Sequence, residues 1–307
     1  MAGRRQAGAK LTGGDAVFHS INYAFFALFS LACLFPFYYL FINTISDNEL
    51  VRIGAIRLYP RGIHFGNYIK LLSVGDIGQA VMVTLGRSAL GTALMMLASA
   101  FMGYLVTKRE MFARRLVYRA VVITMYFNAG LIPWFLNMSM LGLTGSFWGY
   151  VIPSIVAPFN IILVKTYVES IPAELEESAK IDGAGYFRIF ARIIFPLAKP
   201  VLATIAIFGT VGHWNSFTDS IILMSSQPKL YTLQHRLYIY LTSTSNLGAL
   251  MSAGSGGSIT EAAIASTLNM RTMQLTVAMV TILPILTVYP FMQRYFEKGI
   301  MIGAVKG

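Results

Sequence analysis

The stretch IPAELEESAKIDGAGYFRIFARIIFPLAKP, residues 171–200, is a charged segment lodged between two strongly apolar ones, and its reading decides the architecture. Pro172 is tolerated only in a first helical turn, and Glu174, Glu176 and Glu177 follow where carboxylates favour the positive end of a helix dipole. A short helix therefore starts here. Glu174, Glu177, Ser178 and Ile181 fall at i, i+3, i+4 and i+7, giving one acidic and small face that suits the close approach of a basic partner. Asp182-Gly183 breaks the helix, because Gly accepts backbone angles that other residues resist. A second helix places Arg188 and Arg192 on one side and Phe187, Phe190 and Ile194 on the other, until Pro196 and Pro200 close it. The pattern predicts a helix-turn-helix elbow on a membrane surface, although spacing alone favours an ordinary charged loop.

The flanks of this elbow belong to a bilayer. With 56% hydrophobic and 12% charged residues over 307 positions, and a mean hydropathy of +0.63, the chain has too little polar surface for a soluble globule. A helix crosses a bilayer with about 20 apolar residues, and runs bounded by ionised residues supply them repeatedly. The uncharged run from Arg119 to Lys165 is too long for one helix and carries a Gly-rich turn, LGLTGSFWG, at 141–149. The expected fold is an all-α membrane protein of six spans, at about 17–44, 81–107, 117–140, 149–168, 199–222 and 273–295. A segment 1–15 precedes them, the elbow occupies 171–198, and a tail covers 297–307.

Basic residues set the orientation, since Lys and Arg beside short loops are retained on the cytoplasmic side. With both termini inside, Lys108, Arg109, Arg114, Arg115 and Arg119 join the elbow's basic residues in the cytoplasm, and fewer remain outside, Arg87 among them. The net charge of +11 is thus mostly a topology signal. No basic module interleaved with aromatics points to nucleic acid. The basic N-terminus is followed by an apolar run too long for a signal-peptide core, so the first span is expected to stay as an anchor. Cys33, the single cysteine, lies in that span and permits no intrachain disulfide. The four histidines fall in separate segments, so no metal site is expected, and no nucleophile and base pair suggests catalysis. The low-complexity stretch SAGSGGS at 252–258 has no job legible in the sequence.

Polar and aromatic residues at membrane depth normally face a cavity or another helix. His213, Trp214 and Asn215, followed by Ser216 and Thr218, are such a run on the fifth span. Asn128 and Trp134 on the third and Asn160 on the fourth are secondary candidates for a translocation path. Trp at a span end is also a common interfacial anchor, and both readings stay open.

Glu177-Ser178-Ala179, three residues, Gly183, nine residues, then Ile193-Ile194-Phe195-Pro196 resembles the EAA signature of bacterial ATP-binding-cassette (ABC) importer permeases, with Ser178 in place of the usual Ala and Phe195 in place of the usual Leu. The IDGA and PLAKP segments, WNSF at 214–217 and the ending YPFMQRYFEKGIMIGAVKG resemble the carbohydrate-type members. These include the maltose-transporter permease and, more closely, the branch importing alginate and other complex oligosaccharides. The resemblance implies the type I importer permease fold, and a chain that forms half of a translocation path in the bacterial cytoplasmic membrane. Its elbow, carrying Glu177, Ser178, Ala179, Asp182, Gly183 and Pro196, would then sit in a cleft of a cytoplasmic ATPase. Glu177 would hold a basic residue there, and Gly183 would set the angle between the two helices. The tail Gly299 to Gly307 would reach toward the two ATPase subunits. The resemblance also implies a second permease subunit, an extracytoplasmic solute-binding protein, an oligosaccharide substrate and surrounding membrane lipid. The sequence has no GxxxxGK[ST] loop, so ATP and magnesium are expected on the partner ATPase rather than on this chain. The alternative, a self-contained secondary transporter or channel, requires paired ionisable residues buried in mid-span or broken helices, and the spans read as nearly free of charge.

Overall fold

The computed structural model describes residues 13–73, 75–252 and 271–287. Most of the 1–15 segment, the 253–258 part of the Gly/Ser-rich stretch, the end of the sixth span and the 297–307 tail lie outside the described residues. Among the described residues there are helices and turns but no strands.

In chain order the helices are α1 (Gly13–Thr44), α2 (Asn48–Arg52), α3 (Gly66–Ser73), α4 (Gly75–Leu105), α5 (Arg114–Tyr126), α6 (Leu131–Met140), α7 (Trp148–Val151) and α8 (Pro158–Val168). The elbow follows as α9 (Glu174–Ile181), α10 (Tyr186–Ile189), a wide π turn (Phe190–Ile194) and α11 (Phe195–Leu197). Then come α12 (Lys199–Asn215), α13 (Thr218–Leu223), α14 (Leu233–Ser252) and α15 (Arg271–Thr287). Val17–Thr44 and Ile77–Leu105 are each long and apolar enough to cross a membrane alone.

The chain divides into two compact units. In the first, α1 exposes most of its apolar side chains, such as Phe25, Leu28 and Leu31, as a helix meant for lipid or a partner does. Its C-terminal end is pinned by Asn67 donating to the Thr44 carbonyl at 2.9 Å and by the Thr44 and Tyr68 hydroxyls at 2.7 Å. Ile42, Val51 and Ile56 bury together beneath Leu50 and Leu275.

In the second unit α4 is the central strut, packed along α8 and α12. No hydrophobic drive brings helices together in lipid, so close packing must hold them, and small residues at the contacts permit it. A Cβ on Gly103 would lie 2.6 Å from the Val164 side chain, and one on Gly91 would lie 2.5 Å from the His213 ring. Met95, Tyr104, Val164, Ile189, Ile194 and Ile205 form the buried core where α4, α8, the elbow and α12 meet.

Three of the expected spans are interrupted. The 117–140 span breaks at Phe127–Gly130, where Gly130 takes φ +89, a conformation closed to most side chains. The 149–168 span bends by 45° between Trp148–Ser154 and Pro158–Val168, because Pro158 lacks the N–H that a continuous helix needs. The 199–222 span stops at Asn215 and resumes as α13 after the extended Ser216.

Candidate functional site

The elbow is built on local rules. Helix α9 carries Glu174, Glu176 and Glu177 in its first turn and Lys180 in its last, in the sense the helix dipole favours. It ends in a Schellman motif: Gly183, at φ +77, donates to Lys180 O at 3.0 Å, and Ala184 donates to Ala179 O at 2.9 Å. The chain then re-enters helix at Tyr186. Pro196 and Pro200 do not close the second helix, as the sequence reading expects, but occupy first-turn positions of α11 and α12. The change of direction falls at Ala198, where Tyr186–Leu197 and Lys199–Asn215 meet at 79°. The π turn also rotates the buried side to Ile189, Phe190 and Ile194 and leaves Phe187 72% exposed, against the expected Phe187, Phe190 and Ile194 face.

Two ion pairs fasten this elbow to the end of α4. Lys108 Nζ meets the Glu176 carboxylate at 2.5 Å, with both side chains largely covered, and stacks over the Tyr104 ring at 4.4 Å. Lys180 reaches Glu110 at 3.3 Å on the surface. Hydrogen bonds from its own backbone and from Tyr186 and Lys180 hold the Glu110 carboxyl down to about 2, while the bond to Glu110 raises Lys180 above its ordinary value. Ala179, Ala184 and Ile193 pack inward on the core. The remaining face of α9, with Glu174, Glu177, Ser178 and Asp182, is exposed beside Ile181, which is 87% exposed. Glu176 thus points to the molecule and Glu177 points away from it.

A second polar constellation lies between α4, α7, α8 and α12. Arg87, only 2% exposed, forms a two-pronged ion pair with Asp219, and its Nη1 also donates to Ser216 O at 3.1 Å. The guanidinium lies 4.5 Å from the centre of the Tyr150 ring. The Tyr150 hydroxyl donates to Leu230 O at 2.7 Å and lies 2.8 Å from Ser220 Oγ, which is in turn 2.9 Å from His235 Nδ1. Beside this network is a cavity of about 350 Å³ onto which Trp134, Ser154, Asn160 and His213 face along with Arg87 and Asp219. His213 Nε2 is 3.5 Å from Ser154 Oγ.

Of the residues expected to line a path, His213, Ser216, Trp134 and Asn160 therefore share one cavity, and Trp214, Asn215 and Asn128 do not join them. Trp214 turns to the opposite side of α12, donates from Nε1 to Thr281 O at 2.9 Å, and borders a separate apolar cavity of about 480 Å³ with Ala89, Met96 and Pro284. Asn215 is exposed and accepts from Gln234 at 3.1 Å. Asn128 sits in the break before α6, where its Oδ1 accepts from Gly130 N at 2.8 Å. Arg87, Tyr150 and Asp219 were missed. The signal was available, because a charge inside an apolar run is costly unless paired, whereas the sequence reading places Arg87 outside and gives Asp219, within the 199–222 span, no role.

A family model described as binding-protein-dependent transport system inner membrane component matches residues 12–302. Among curated proteins, the chain is 33% identical over 294 residues to the polygalacturonan/rhamnogalacturonan transport system permease protein YtcP of Bacillus subtilis (strain 168), covering 95% of this chain and 99% of that one. It is 28% identical to the arabinooligosaccharides transport system permease protein AraQ of the same organism, over 92% of this chain and 94% of that one. Among solved structures, a chain of a bacterial ABC transporter involved in the import of the acidic polysaccharide alginate superposes with a TM-score of 0.80 at 30% identity. That match covers 94% of this chain and all of the other.

Proposed function

This chain belongs to the family of binding-protein-dependent transport system inner membrane components, and from that premise we propose that it is one permease subunit of an ATP-driven importer of oligosaccharides. A second permease subunit would complete the translocation path, two cytoplasmic ATPase subunits would hold ATP and magnesium, and a solute-binding protein outside would deliver the sugar. Both termini and the elbow would then be cytoplasmic, as the distribution of basic residues favours.

The observation that carries this reading is the division of labour within the elbow. One face is bonded to the segment just after α4 through Lys108–Glu176 and to the core through Ala179, Ala184 and Ile193, while the Glu177 face is free to take a partner. Closure of the ATPase pair on such a surface moves the elbow as a body, and the elbow moves α4 and α12 with it. On the path itself, the cavity with Trp134, Asn160 and His213 offers what a sugar needs, an aromatic face and hydrogen-bonding groups. Carbohydrate names among the relatives support the substrate class.

Glu177→Lys and Gly183→Leu test the reading, since both positions are exposed and outside the spans. Each variant is expected to insert in the membrane at normal levels, to lose co-purification of the ATPase and to abolish uptake. Normal uptake with a normal ATPase complement in both would refute it.

A further inference from the structure

Four arginines, Arg109, Arg114, Arg115 and Arg119, surround an open recess of about 770 Å³ where the chain passes from α4 to α5. Among the described residues none of them forms an ion pair, and the acid in this loop, Glu110, is engaged with Lys180. Arg114 is held in place by donating to Thr107 O at 3.0 Å, and Ala113 takes a left-handed φ of +50 that turns the chain into α5. Arg114 and Arg115 then open that helix, whose first turn has no side-chain cap. Cations at the positive end of a helix dipole oppose the usual preference, and guanidiniums gathered on one recess repel each other. Both costs vanish when an anion sits among them.

The surroundings say what kind of anion. Phe112, 93% exposed, projects from the loop beside the arginines, and α5 buries none of its residues and exposes Leu116 and Ile123. A charged recess continuous with bare apolar helix surface matches a molecule with an anionic head and a hydrocarbon tail. We propose that this recess binds a phosphate-type anion, namely the headgroup phosphate of an anionic membrane lipid, with its acyl chains along Leu116 and Ile123. Guanidinium groups hold phosphate oxygens in paired hydrogen bonds, which makes arginine suited to this task. The site depends only on the bilayer around α5 and not on the sugar or the ATPase.

Native mass spectrometry of the assembled transporter, delipidated and then titrated with phosphatidylglycerol or phosphatidylcholine, tests it. The wild type is expected to retain phosphatidylglycerol in preference to phosphatidylcholine. Arg115→Gln/Arg119→Gln should bind phosphatidylglycerol roughly 30-fold more weakly, at a factor of about five per basic residue removed near an anionic surface. Equal affinity in variant and wild type would overturn the proposal. Should the variant not assemble, equal retention of the two lipids by the wild type would overturn it. Displacement of the lipid by millimolar inorganic phosphate would identify a soluble anion as the occupant and overturn the lipid assignment.

Discussion

The elbow and the Arg87–Asp219 network are both charged structures in an apolar chain, yet they are built on opposite logic. In the elbow the charges lie within a few residues of each other, obey dipole and capping rules, and leave one face unsatisfied by the molecule itself. In the network the charges come from segments 132 residues apart, the buried Arg87 pairs with Asp219 through both terminal nitrogens, and neither charge lies on an outward face like that of the elbow. Open local charge marks a surface for a partner, while closed long-range charge marks a joint between helices.

That contrast is most sharply broken at Asp219. Asp219→Ala leaves Arg87 buried without its counter-ion, and the expected loss is about 3–5 kcal/mol in stability. Thermal unfolding of the assembled transporter measures it. The pair replacement Arg87→Met/Asp219→Leu should recover most of the loss, and failure to recover would show that the charges do more than join helices. Within the elbow, Lys108→Met strands the covered Glu176 carboxylate and should cost about 1.5–3 kcal/mol. Glu177→Gln on the open face should shift unfolding of the permease without its ATPase by less than about 0.5 kcal/mol. Equal effects of these two would erase the distinction between anchored and open faces.

Trp214→Phe sharpens the placement of the path. It removes the bond to Thr281 O, worth about 0.5–1.5 kcal/mol, and should leave uptake per inserted molecule unchanged. His213→Ala, on the cavity with Trp134 and Asn160, should lower uptake. The smallest effect belongs to the surface pair Glu110–Lys180. The Glu110 carboxyl lies below its ordinary value, so its contribution is present above about pH 4.5 and is lost as pH falls toward about 2. The raised Lys180 keeps its contribution at neutral pH and loses it only as pH rises through its folded value. Wild type should therefore exceed Glu110→Gln in stability by a small margin above about pH 4.5, and acid titration should close that margin as pH falls toward about 2.

The elbow was legible because its determinants are short-range. Three glutamates behind a proline and a glycine at the C-cap specify helix, turn and helix without knowledge of the rest. Its inward face was not legible, since Glu176 finds Lys108 across 68 residues and resembles its neighbours in the sequence. The six-span count rests on hydropathy, which registers length and not continuity. It therefore gave no warning that Phe127–Gly130 or Ser216 interrupts a helix. For the cavity, the sequence marks the His213 to Asn215 run but not its orientation. On a helix, adjacent residues point to different sides, and only packing showed that His213 faces the polar cavity while Trp214 faces away.

The central claim is that the Glu177 face of the elbow is covered by the ATPase in the working transporter. With Cys33→Ser removing the native thiol, Ser178→Cys carries a thiol-anchored photo-crosslinker in the assembled complex, and Tyr59→Cys on the exposed 53–65 loop serves as control. Irradiation is expected to join Ser178→Cys to the ATPase subunit and to leave Tyr59→Cys unjoined. A Ser178→Cys that gives no ATPase adduct and reacts freely with a soluble maleimide in the intact complex would contradict the account.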